Sequence, residues 1–212
     1  MGQVDHWEVE QASDGMNFSM IDECRNVAAT ARECMWNSPG PPSTTAKLMI
    51  NASGADIWGA SDAFAFLMQP IGANEQITLR VRSLANTHAW AKGGVMIRNT
   101  LAANSAHADF IVSAAKGMAM QFCTEAGFPS ESIGQTAGAA PVWLRIRRFE
   151  SASTPGQASF SASYSTDRTF WRAIASSVGF PMAHDALIGV AVTSHVSGVE
   201  TTAIIDDVRI QR

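Results

Sequence analysis

No apolar run in this sequence approaches the ~20 residues that a membrane-spanning helix needs, so the sequence predicts no helical insertion in a bilayer. Cysteine is scarce. Cys24, Cys34 and Cys123 are the only three, too few and too irregular for a zinc site of paired CxxC units. An odd number leaves one unpaired; Cys24 and Cys34 lie close enough to close a loop in an oxidising compartment, and Cys123 falls in a strand pattern that buries a reduced thiol. Charge is also sparse, at 16% of residues, and the net charge of −4 with a pI near 5.7 gives no overall attraction to phosphate backbones. Nucleic acid is therefore not an expected partner. Two catalytic signatures are missing: there is no Glu-x-Asp-x-x-Glu run to set paired carboxylates along one strand, and no G-x-S-x-G nucleophile elbow. The segment Met1–His6 lacks the basic and apolar blocks of a signal peptide, and His6 stands where an N-myristoylation motif wants Ser or Thr. The compartment stays open.

What is abundant is the material of a β-sandwich. Hydrophobic residues make 46% of 212, with 16 Gly and 8 Pro to punctuate them, a balance that predicts one folded domain. Period-2 alternation marks strands at 47–52, 63–69, 76–84, 93–98, 108–113, 118–124, 142–149, 158–163, 171–175, 187–194 and 202–210. Ile77, Leu79 and Val81 alternate with Thr78, Arg80 and Arg82, and Leu144 and Ile146 with Arg145 and Arg147, so one face is dry and the other wet. Turn clusters separate the runs at 53–56, 70–74, 134–141 and 153–156. Without helical patterns between them, such strands predict antiparallel sheets. Short helical turns are expected at most over 22–33 and 101–108. Residues 1–45 are too few for a core of their own and read as an arm, with strands at 7–10 and 17–21, that packs on the sandwich at 46–212 or on a neighbour.

Specific residues then narrow the pattern. Ser53-Gly54-Ala55-Asp56-Ile57-Trp58-Gly59, with Asp62-Ala63-Phe64 and Gln69-Pro70, is followed in register by Trp90 to Arg98, by Pro141 to Arg148, by Tyr164-Ser165-Thr166-Asp167 ahead of Trp171, and by Gly189 to His195 before Ile205-Asp206-Asp207-Val208. Over residues 50–210 this series resembles the regulation-of-enolase-like (beta-xylosidase C-terminal-like) family of the concanavalin A-like lectin/glucanase superfamily. The resemblance implies an all-β concanavalin A-like jelly-roll sandwich, and a likeness to accessory modules attached to glycoside hydrolases. It leaves residues 1–45 unmatched and fixes no activity.

Sugar-binding sandwiches stack apolar sugar faces on exposed aromatic rings and fix hydroxyls with polar side chains. The candidate ligand residues are Trp58 and Trp90 beside turns, with Gln69, Lys92, Arg98, Arg145 and His195 expected together on an exposed concave sheet. Arg80, Arg82 and Arg147 are expected to join them, and an arginine cluster of this kind suits carboxylated or sulfated sugars. The competing reading is a solvated sheet face whose arginines pair with nearby acids. Trp143, mid-strand, is expected in the core. Asp206 and Asp207 resemble the position that helps hold a structural calcium ion in related sandwiches, or they pair with Arg209. The expected function is a non-catalytic, lectin-like carbohydrate-binding module. The alternative is an assembly subunit whose N-terminal arm adds a strand to a neighbour's sheet, giving a homo-oligomer.

Overall fold

The computed structural model describes residues 32–35, 43–44 and 47–212. Fourteen strands account for the regular structure, and no helix occurs among the described residues. They are β1 (Arg32–Met35), β2 (Ser43–Thr44), β3 (Leu48–Gly54), β4 (Ala65–Pro70), β5 (Gln76–Leu84), β6 (Lys92–Arg98) and β7 (His107–Ser113), then β8 (Met118–Cys123), β9 (Glu131–Thr136), β10 (Val142–Glu150), β11 (Gln157–Ser165), β12 (Arg172–Pro181), β13 (Leu187–Thr193) and β14 (Val196–Gln211).

Two sheets face each other. The first runs β1-β4-β13-β6-β7-β8-β9; the second runs β12-β11-β10-β5-β14-β2, with β3 also on β14. Every pairing is antiparallel except β1 with β4, which is parallel. The alternation seen in sequence decides what lies between the sheets. Val95, Ile97, Phe110, Val112, Ile188 and Val190 point inward from the first sheet and meet Ile77, Leu79, Val81, Leu144, Ile146 and Ile205 of the second. Each such side chain contributes roughly 1.5–3 kcal/mol by leaving water. A jelly-roll sandwich is thus the architecture.

A smaller apolar cluster forms on the opposite face of the first sheet. Residues 55–63 fold over it, closed by a bridge between Asp56 and Ala63, and bring Ile57 and Phe64 onto Phe66, Met68, Met96 and Ala191. Gly94 and Gly189 lie among these residues. A Cβ at Gly94 would stand 2.2 Å from the Phe110 carbonyl oxygen, and one at Gly189 2.1 Å from that of Leu67, so glycine is what lets the neighbouring strands approach there.

Four local expectations change. Residues 101–106 form a turn that runs into β7, because Ala106 just before the strand and Ala108 within it both enter the core. The turn expected at 134–141 begins only after Thr136, since β9 is an edge strand whose polar sequence hides its pairing with β8. Arg32 and Glu33 belong to β1; the rest of the helical turn expected at 22–33, and the strands expected at 7–10 and 17–21, lie outside the described residues. Trp143 is on the outer face of the second sheet instead of in the core, because its neighbours Val142 and Leu144 take the inward positions.

Candidate functional site

The face of the first sheet turned away from the core carries its polar groups at two ends of β6. Lys92 starts the strand and Arg98 ends it, roughly 20 Å apart at the rise of a β-strand.

At the Lys92 end three loops converge. The ammonium of Lys92 donates to the Ile57 carbonyl at 2.8 Å, pairs with Asp56 Oδ1 at 2.7 Å and lies 5.7 Å from the Trp58 ring centre. Trp58 is 41% exposed. Asp56 Oδ2 sits 3.2 Å from His195 Nδ1, a close approach without hydrogen-bond alignment. His195 follows β13 in a left-handed conformation, φ 63°, and stacks on His88 with ring centres 4.2 Å apart. His88 Nδ1 accepts the backbone N–H of Trp90 at 3.1 Å. Thr87 Oγ1 donates to the Ser194 carbonyl and Thr193 Oγ1 to that of Gly54, so the loops are stitched to one another and to β13. The result is a half-exposed indole beside a buried ammonium, whose carboxylate partner leads on to two stacked imidazoles.

The Arg98 end is enclosed. Arg98 lies over the Phe64 ring at 5.0 Å and donates to Asp62 Oδ2 at 3.3 Å, to the Thr100 carbonyl at 2.8 Å and to the Ala102 carbonyl. His107, Asp109 and Gln121 continue the row on β7 and β8, and all are buried. His107 Nδ1 is 3.2 Å from the Ser105 carbonyl. A carbonyl only accepts, so this nitrogen carries the proton and Nε2 presents a lone pair to Asp109 Oδ2, 3.6 Å away. Burial drives the charges out of this group. It pushes Asp62 up to about 6 against the opposing pull of Arg98, lowers His107 to about 3 with help from the Arg98 charge, and raises Asp109 well above the usual carboxylate range. Among the described residues His107 Nε2, both oxygens of Asp109 and Oε1 of Gln121 have no hydrogen-bond partner. Cys123, beside His107 in register, is a buried free thiol whose titration burial also raises.

The ligand residues expected on one exposed sheet are therefore divided. Trp58, Trp90, Lys92 and His195 meet at one rim, with Lys92 itself buried under the loop. Arg98 is buried at the far end. Gln69 takes the other parity of β4 from Phe66 and Met68, and Arg145, with Arg80, Arg82 and Arg147, stands on the second sheet. The arginines do not share a face with Lys92 because alternation within a strand says nothing about which sheet the strand joins. Asp56, Asp62, His88, His107, Asp109 and Gln121 complete the two ends and were not singled out from sequence. Asp109 had a readable signal, since His107, Asp109 and Ile111 alternate with Ala108, Phe110 and Val112.

Asp206 is held by both Arg80, at 2.7 Å on each oxygen, and Arg82, at 2.9 Å. Asp207 takes Arg168, Arg209 and the Trp143 indole N–H. This cationic donor set does not fit a calcium ion, and among the described residues no three His, Cys, Asp or Glu side chains converge to hold a metal.

No protein-family model matches the chain, and no curated protein does. Solved structures do. A functionally unknown protein from Saccharomyces cerevisiae is 15% identical, with TM-score 0.58 over 82% of this chain and 92% of that one. A PL-14 alginate lyase from Aplysia kurodai is 7% identical, with TM-score 0.48 over 83% of this chain and 88% of that one. A GH43 protein from Bacillus licheniformis is 13% identical, with TM-score 0.44 over 68% of this chain but 32% of its own length. The yeast likeness is one of fold.

Proposed function

We propose that the protein is a non-catalytic carbohydrate-binding module that takes a glycan at the loop rim around Trp58. The observation that carries this reading is the half-exposed Trp58 ring beside the Lys92–Asp56 ion pair, with His195 and His88 next along on the stitched loops. A flat apolar ring accepts the C–H face of a pyranose, and the surrounding groups offer donors and acceptors to its hydroxyls. The loops are tied down before any ligand arrives, which lowers the ordering cost of binding.

A glycan array and polysaccharide pull-down on purified protein would identify the ligand. Trp58→Ala is then expected to weaken binding roughly tenfold, a loss of about 1.4 kcal/mol. Its thermal unfolding should move little, because the half-exposed ring belongs to neither apolar cluster. Trp58→Phe should recover part of the affinity. Full-strength binding by Trp58→Ala, or an array on which folded protein binds nothing, would remove this proposal.

A further inference from the structure

The second sheet turns a different chemistry outward. Arg80, Arg82, Arg145, Arg147, Arg168 and Arg209 all reach this face, against Asp206 and Asp207. Each aspartate is shared between two arginines. Asp167, in the adjoining turn, accepts N–H groups of its own loop at Thr169 and Phe170. Among the described residues Arg145 bonds only Thr78 Oγ1, through Nε, which leaves the other two nitrogens of its fork for a ligand, and the exposed Arg147 has no acidic partner. A chain of net charge −4 thus gathers uncompensated positive charge on one side.

Two tryptophans hold the arginines in place. The Arg145 guanidinium lies 3.6 Å from the centre of the Trp171 ring, and that of Arg80 lies 4.7 Å from the centre of the Trp143 ring. Register sets Trp143, Arg145, Arg147 and Phe149 of β10 beside Ser165, Ser163, Ser161 and Ser159 of β11. The strip from Trp143 to Phe149 is roughly 20 Å long. It offers pre-set guanidinium forks, a flanking row of half-buried hydroxyls from Ser159 to Ser163, and at one end Phe149, which is 51% exposed.

We propose that this face binds an acidic polysaccharide, one bearing carboxylate or sulfate groups, laid along β10 and β11. Guanidinium forks match carboxylate and sulfate oxygens in pairs, the serines suit hydroxyls, and Phe149 suits a sugar's C–H face. A single-stranded nucleic acid fits less well. It needs successive bare rings for its bases, and here Trp143 and Trp171 already carry arginines. The site is separate from the rim around Trp58 and does not depend on it.

Calorimetric titration of the full chain with polygalacturonate tests the assignment, with dextran as the neutral polymer and a single-stranded oligonucleotide as the competing polyanion. Polygalacturonate should bind with an affinity that falls steeply with added salt, while dextran should not bind this face. The double variant Arg145→Gln/Arg147→Gln should lose roughly tenfold or more. Arg147→Glu, at an exposed position where folding is not at stake, should lose a comparable factor alone. Trp58→Ala should bind polygalacturonate as the parent does, which separates this site from the rim. Three results would overturn it: no polygalacturonate binding by folded protein, undiminished binding by Arg147→Glu, or tighter binding of the oligonucleotide.

Discussion

Asp109→Asn is expected to make the protein more stable at neutral pH and to flatten the dependence of its stability on pH. Asp109 is 0% exposed and neither oxygen has a hydrogen-bond partner among the described residues, so burial holds its proton on well above the usual carboxylate range. The unfolded chain releases that proton near pH 4. Between the two values the folded protein binds one more proton than the unfolded chain, and stability falls by about 1.4 kcal/mol for each unit of rising pH. Asp62 acts in the same direction, but only from its unfolded value of 3.8 up to about 6. His107 acts oppositely: lowered to about 3 from 6.5, it adds stability as pH rises through that interval and none above it. The two roughly cancel where they overlap. Lys92 and Arg98 draw Asp109 toward its charged form, while Asp62 and Asp56 oppose them. Asparagine removes the Asp109 contribution to the slope while offering its amide N–H to His107 Nε2. Denaturant unfolding of parent and variant at a series of pH values from about 4 upward isolates the Asp109 contribution as the difference between their slopes. Equal slopes, or an asparagine variant weaker than the parent, would mean that the cations hold Asp109 ionised.

Gly94→Ala and Gly93→Ala should differ sharply although they are adjacent. The added methyl at Gly94 meets backbone, 2.2 Å from the Phe110 carbonyl oxygen and 2.8 Å from the Ile111 Cα, and neither atom can move without opening the β6–β7 ladder. At Gly93 it meets Leu84 Cδ1 at 3.7 Å and Ala203 Cβ at 3.9 Å, both ordinary contacts. We expect a loss of about 3 kcal/mol or more at Gly94, the upper range for overpacking, and less than about 1 kcal/mol at Gly93. Thermal and denaturant unfolding of the pair gives the answer, and similar values for both would refute the close-approach argument.

Period-2 alternation was enough to place the core, because half-buried strands write their inward faces directly into sequence. Ile77, Leu79 and Val81 on β5, and Leu144 and Ile146 on β10, are where that pattern puts them. The same alternation set Lys92, Met96 and Arg98 on one face of β6. It carried no information on what lay above them. Residues 55–63 and 99–105 fold back over that face through bonds such as Asp62 N–H to the Ala103 carbonyl, and turn an expected open surface into a buried network. Arg148 shows a second limit. It shares the inward parity of Leu144 and Ile146 and is fully buried, its guanidinium taking the carbonyls of Met182, Ala183 and His184 and the Glu150 carboxylate. Nothing in the run of residues marks an arginine that satisfies carbonyls more than thirty positions away.

The parallel pairing of β1 on β4 bears on how the protein can be cut. Residues 32–35 cover the outer hydrogen-bonding edge of β4, and the strand they protect is apolar on both faces, with Ala65, Phe66 and Met68 buried. A truncation beginning at residue 46, where the sequence alone places the start of the sandwich, would bare that edge along its whole length. Uncovered apolar edges recruit strands from other molecules. Recombinant protein shortened in this way should lose solubility and clump with concentration, and its self-association would report a missing strand instead of a natural partner.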